Sequence, residues 1–131
     1  EEDFEILIDF IKKYKFDRLG VFAYSREEDT PAYTMKNQVD DIIKSQRRDR
    51  ILVVQQKASE AMMKKRIGKA YEVLVEGVAD DGVFYYGRSY AEAPEIDPVI
   101  YFTSPDPVEA GDFVTVKIAS NSGMDLIGYR Q

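Results

Sequence analysis

Residues 71–77 read Tyr71-Glu72-Val73-Leu74-Val75-Glu76-Gly77, and residues 113–119 read Phe113-Val114-Thr115-Val116-Lys117-Ile118-Ala119. In the second stretch Val114, Val116 and Ile118 alternate with other neighbours, the period-two pattern of a half-buried strand. The first is rich in β formers and stops at a glycine. Three more short strands follow the same logic: Val83 to Gly87, Val99 to Phe102 and Asp125 to Tyr129. Asp80-Asp81-Gly82, Glu109-Ala110-Gly111-Asp112 and Asn121-Ser122-Gly123 supply the turns between them. Five short strands with turns at regular intervals suit a small closed antiparallel barrel of the OB type. Closure also removes the exposed edges that an open five-stranded sheet would leave.

Upstream of residue 67 the period lengthens. Phe4, Leu7, Ile8 and Ile11 fall at helical spacing, so residues 3–15 read as an amphipathic helix. Leu19 to Tyr24 is a short apolar run that reads as a buried strand, and Ser25 to Pro31 as a loop. Residues 32–67 hold neither Gly nor Pro. Met35, Val39, Ile42 and Ile43 make one apolar stripe, and Val54, Ala58, Ala61 and Met62 another. Between them lies the charged run Gln46-Arg47-Arg48-Asp49-Arg50. The segment reads as one long helix, or as two with a break near residue 49. The charged run reads as a solvated helix face with i,i+4 pairs, with a nucleic-acid contact as the alternative.

The fold class is therefore α+β. A helix–strand unit over 1–31 is too small to form a core alone and reads as part of a larger α/β domain. A helical region covers 32–66, and the β-barrel covers 67–131.

Composition limits the chemistry. The 131 residues contain no cysteine and no histidine. That removes disulfides, thiolate zinc sites, iron–sulfur ligands, cysteine nucleophiles and the usual general base near neutral pH. No catalytic residue and no metal ligand is assigned. No apolar run approaches the roughly 20 residues of a membrane span, and the start Glu1-Glu2-Asp3 is unlike a signal peptide. The absence of an initiator Met reads as a fragment or a processed chain. Charge is unevenly divided. Residues 1–66 carry 13 acidic and 14 basic side chains, whereas residues 67–131 carry 11 acidic and 4 basic, a net charge of −7.

The ordered motifs Gly87-Arg88-Ser89, Ala93-Pro94-Glu95-Ile96-Asp97, Val99-Ile100-Tyr101, Gly111-Asp112-Phe113-Val114 and Asp125-Leu126-Ile127-Gly128 resemble a TRAM domain. More narrowly they resemble the TRAM domain of RimO-type methylthiotransferases. Phe16-Asp17-Arg18-Leu19-Gly20-Val21-Phe22 and Tyr24-Ser25 resemble the last strand of that family's radical SAM barrel, a TIM-like barrel. Asn37-Gln38-Val39 and Gln55-Gln56 fall in what resembles its linker helix. Two departures stand out. Asp29 precedes Thr30 where the family usually has Gly, and the acidic segment Glu92 to Pro98 ends in Pro where Gly is usual.

The resemblance implies a cytoplasmic, monomeric parent enzyme with two 4Fe-4S clusters and S-adenosylmethionine. Such an enzyme adds a methylthio group to the β-carbon of one aspartate in small-subunit ribosomal protein S-twelve. The present chain, without cysteines, would be inactive alone and would hold no cluster. By family likeness, Phe22, Ala23, Tyr24 and Ser25 approach S-adenosylmethionine, although Phe22 and Tyr24 also suit simple packing.

Charge bears on the partner. Tyr85, Tyr86, Tyr90, Tyr101 and Phe102 could stack on RNA bases, but four basic residues against 11 acidic ones do not suit a phosphate backbone. A net −7 barrel steers toward basic surfaces, which favours a basic ribosomal protein as substrate. The candidate contact residues are Asp80, Asp81, Arg88, Glu92, Glu95 and Asp97. The alternative is an RNA-binding TRAM module of a tRNA methylthiotransferase. Arg88 could equally brace the barrel against a carboxylate, and Gly87 could permit a bulge or tight bend.

Overall fold

A computed structural model describes residues 1–131, which divide into two compact units, Glu1–Ser59 and Glu60–Gln131. In the first unit, helix α1 runs Glu2–Tyr14. Glu2, Asp3 and Glu5 occupy its first turn and Lys12 and Lys13 its last, both favourable to the helix dipole. It ends where Lys15 turns left-handed (φ 49°) and its N–H donates to the Ile11 carbonyl. Phe4, Ile8 and Ile11 are buried against Ile51, with Phe16, Leu19, Val21 and Val54 around them.

Leu19 to Tyr24 is not a strand. Leu19 and Val21 pack on the α1 cluster while Phe22 is 93% exposed. A strand needs a neighbour for its backbone hydrogen bonds, and this segment pairs with none. A one-turn 3₁₀ helix, Pro31–Thr34, follows; Arg26 donates to its Tyr33 carbonyl at 2.8 and 2.6 Å.

Helix α2 spans Asp41–Arg66. It starts later than residue 32 because Met35 is extended and Asn37 is left-handed (φ 59°), neither compatible with a helix. It runs unbroken through the charged run. The expected i,i+4 pairs are replaced there by pairs to α1 and the residue before it, Arg50 with Glu5 and Arg47 with Glu1, and by Arg48 with its neighbour Asp49. The buried side of α2 is Ile51, Gln55, Ser59 and Met63, at spacing four. Gln55 and Ser59 are polar, yet both are used: Gln55 Nε2 donates to the Phe16 carbonyl at 2.7 Å and Ser59 Oγ to the Asp17 carbonyl at 3.1 Å.

The second unit is a closed barrel of β1 (Ala70–Val78), β2 (Tyr85–Arg88), β3 (Ile100–Thr103), β4 (Phe113–Ser122) and β5 (Asp125–Arg130), in the order β1-β2-β3-β5-β4. All pairs are antiparallel except β3 with β5. The wholly antiparallel barrel expected from sequence is corrected on this point, and the reason is parity. A ring of five strands cannot alternate direction at every step, so at least one pair must be parallel.

Val73, Val75, Ile100, Phe102, Val114, Val116, Ile118 and Leu126 point inward, and Met63 and Val108 join them. Two inward positions are glycines. A Cβ on Gly87 would run into the Leu74 carbonyl and lie 2.9 Å from Val73 Cγ1; one on Gly128 would meet the Lys117 carbonyl and Val116 Cγ1. These glycines let adjacent strands close on each other. The pairing register shifts elsewhere, in β1 between Val75 and Gly77 and in β4 between Ile118 and Ser120.

Candidate functional site

The β1–β2 turn and the β4–β5 turn bracket a cleft of about 400 Å³, lined by Asp80, Asp81, Phe84, Tyr101, Ser122 and Asp125. Barrels of this topology take ligands between these two loops, across strands β2 and β3. Here that position carries three carboxylates and no cation among its lining residues.

Two of the carboxylates also build the turns. Asp81 Oδ1 accepts the N–H groups of Val83 (2.8 Å) and Phe84 (3.1 Å), and Gly82 supplies the left-handed step (φ 68°). Those two bonds hold the Asp81 pKa below its ordinary value, so it is ionised at neutral pH. Asp125 Oδ1 accepts the Val99 N–H at 3.1 Å. A phosphate entering this cleft would meet fixed negative charge, whereas an ammonium or guanidinium would be attracted.

The other predicted contact residues lie elsewhere, on β2 and in the loop 89–98. Arg88 is half-buried and pairs with Glu76 at 3.0 Å, so it braces β2 against β1. Glu92 is corrected: its side chain is only 3% exposed and is not offered to a partner. It forms an ion pair with Arg66, and its Oε2 accepts from the Ser89 N–H (2.9 Å) and Ser89 Oγ (2.5 Å). Arg66 Nη2 also donates to Ser89 Oγ at 3.0 Å. Burial pushes the Glu92 pKa up, but the bonds from Arg66 and Ser89 outweigh it, and the net shift is downward. Asp97 accepts the Ala93 N–H at 2.8 Å and closes the loop, while Glu95 is exposed at left-handed φ 63°.

Sequence reasoning singled out Asp80 and Asp81 but missed Asp125 as their neighbour. The signal was available, because a five-stranded barrel of this order brings the two turns to one end.

Phe22, Ala23, Tyr24 and Ser25 are all exposed. Lys44 Nζ donates to the Tyr24 carbonyl at 3.2 Å and lies 5.4 Å from its ring centre. Tyr24 borders a cleft of about 360 Å³ with Met35, Gln38, Lys44 and Arg47. Asp29, where the resembled family usually has Gly, is left-handed (φ 61°). The loop thus keeps the backbone that glycine adopts most easily. No group of three or more Asp or Glu side chains is arranged to hold a metal ion, and there is no cysteine to hold a cluster. The residues present do not fit an iron–sulfur group. No helix is long and apolar enough to cross a membrane.

Comparison with known proteins gives a consistent picture. Residues 67–130 match the TRAM domain family. The chain is 53% identical over 128 residues to a ribosomal protein uS12 methylthiotransferase RimO of Acetivibrio thermocellus, covering 98% of this chain and 28% of that protein. It is 51% identical to the protein of the same name in Clostridioides difficile, over 98% of this chain and 29% of that one. The figures for the one in Clostridium botulinum strain Eklund 17B are 46%, 98% and 28%. The chain thus spans less than a third of the length of these curated relatives. Residues 67–130 are thus similar to TRAM domains, in a chain that is similar along almost its whole length to one segment of the RimO-named proteins.

Proposed function

We propose that this chain is part of a uS12 methylthiotransferase and that its TRAM barrel recruits and orients the ribosomal protein by charge. The observation that carries the reading is the acidic cleft. The place where barrels of this topology take nucleic acid is lined by Asp80, Asp81 and Asp125, on a domain of net charge −7. Asp80, Asp81, Glu95 and Asp97 are the proposed contacts, and Asp125 joins them. Complementary charge of this kind mainly raises the association rate and selects the partner.

The chemistry belongs to the remainder of such a protein, a radical SAM enzyme with two 4Fe-4S clusters and S-adenosylmethionine. Those groups would supply the radical steps, and this chain alone would be inactive. Residues 1–31 would complete the catalytic barrel. The exposed rings of Phe22 and Tyr24, with Ala23 and Ser25, suit contact with the adenine of S-adenosylmethionine. Binding of the 131-residue chain to uS12, measured against salt, tests recruitment. Binding that weakens steadily with added salt supports it, and no binding at low ionic strength would remove it.

A further inference from the structure

On the outer wall of the barrel, away from the acidic turns, a second cleft of about 560 Å³ crosses β1. Leu74 forms its floor, flanked in register by Arg88 on β2 and Phe113 on β4. Tyr71, Glu72 and Tyr90 complete the lining that matters here. Tyr90 is 91% exposed and Phe113 66% exposed, a large apolar area for one small face of a barrel. The one cation among the lining residues, Arg88, is already neutralised by Glu76. Glu72 is exposed and forms no ion pair. The barrel itself shows what such rings accept: the Arg66 guanidinium lies 4.5 Å from the centre of the Tyr71 ring. The Tyr90 ring stands 6.4 Å from Tyr71 and carries no cation.

We infer that this cleft seats an arginine or lysine side chain from a basic, extended segment of a protein partner. The aliphatic stem would lie on Leu74 and Phe113, the charged head against the Tyr90 ring and the Glu72 carboxylate. Charge decides between this occupant and RNA. Exposed tyrosines could stack on bases, but a strand of RNA would find no free cation in the cleft and net charge −7 around it. The inference deepens the proposed recruitment of a basic protein and rests on it for the identity of that protein.

The test uses the 131-residue chain, an alternating Arg-Gly nonapeptide, uS12 and an octamer of uridine. Amide shifts on peptide titration should cluster at residues 71–74, 88–90 and 113. Tyr90→Ser, Phe113→Ser and Glu72→Gln should each weaken peptide and uS12 binding by about 5- to 30-fold, while Asp106→Asn, on an exposed loop, changes it by less than about two-fold. Tyr90 and Phe113 are exposed, so these variants keep the fold, which circular dichroism checks. If uS12 binds but the three substitutions are silent, the cleft assignment is wrong and recruitment stands. If the peptide maps to the cleft but uS12 does not bind, recruitment fails and the cleft stands as a cation site. Uridine octamer shifting the same amides more strongly than the peptide would overturn the inference.

Discussion

Replacing Glu92 by glutamine keeps the size of the side chain and removes its charge. In the barrel that charge is matched to Arg66, and the two side chains are 3% and 11% exposed. Removing one partner of a fully buried pair costs about 3–5 kcal/mol, because the other charge stays desolvated. Glutamine still offers an oxygen to the Ser89 N–H, and Arg66 retains its bond to Ser89 Oγ. The expected loss is therefore about 2–4 kcal/mol. For a cooperative unit of this size that corresponds to a fall in Tm of about 8–32 °C. Thermal unfolding by circular dichroism measures it. The pH dependence gives an independent sign. The Glu92 pKa is lowered on folding from an ordinary value of 4.5, so its contribution is complete above that value and is lost as pH falls through the lower folded value. Wild type should thus lose stability on acidification below about pH 4.5, and Glu92→Gln should lose less. In the double variant with Arg66→Met, the two losses should fall short of additivity by about 1–3 kcal/mol. A Glu92→Gln variant within about 0.5 kcal/mol of wild type, with the same acid profile, would refute the brace and return Glu92 to the candidate partner contacts.

Three further outcomes follow from single residues. Gly87→Ala forces a methyl into the Leu74 carbonyl and should destabilise the barrel by about 1–3 kcal/mol, read by denaturant unfolding; an unchanged midpoint would contradict the close strand approach. Gln55→Ala leaves the Phe16 carbonyl without its donor and should cost about 1–3 kcal/mol in the first unit, with faster amide exchange in α1 as a second readout. Asp29→Gly relieves a left-handed residue and should leave stability within about 1 kcal/mol of wild type or raise it, whereas Asp29→Val, β-branched at positive φ, should lower it in the same unfolding assay.

The strands were legible because alternation survives in short segments. Val114, Val116 and Ile118 are all inside, as their spacing requires. The buried face of α2 was not legible. Two of its four residues, Gln55 and Ser59, are polar, and they are inside because backbone carbonyls of residues 16 and 17 need donors. A hydrophobic count cannot detect that. Leu19 to Tyr24 misled for the opposite reason, since apolar β formers make a strand only beside another strand. In the candidate site, Asp80 and Asp81 were marked by their turn, and Asp125 joins them only through closure of the barrel. Glu92 could not be separated from its exposed neighbours by sequence, because its burial depends on Arg66, 26 residues earlier.

In the proposed role the acidic barrel attracts a basic protein and turns nucleic acid away. The most direct measurement is the affinity of the 131-residue chain for uS12 between about 50 and 500 mM salt, repeated with tRNA as competitor. Binding should weaken steadily as salt rises and be untouched by tRNA that is not itself bound to uS12. Absence of uS12 binding at the lowest salt, or tight and salt-sensitive binding of tRNA to the chain, would contradict it.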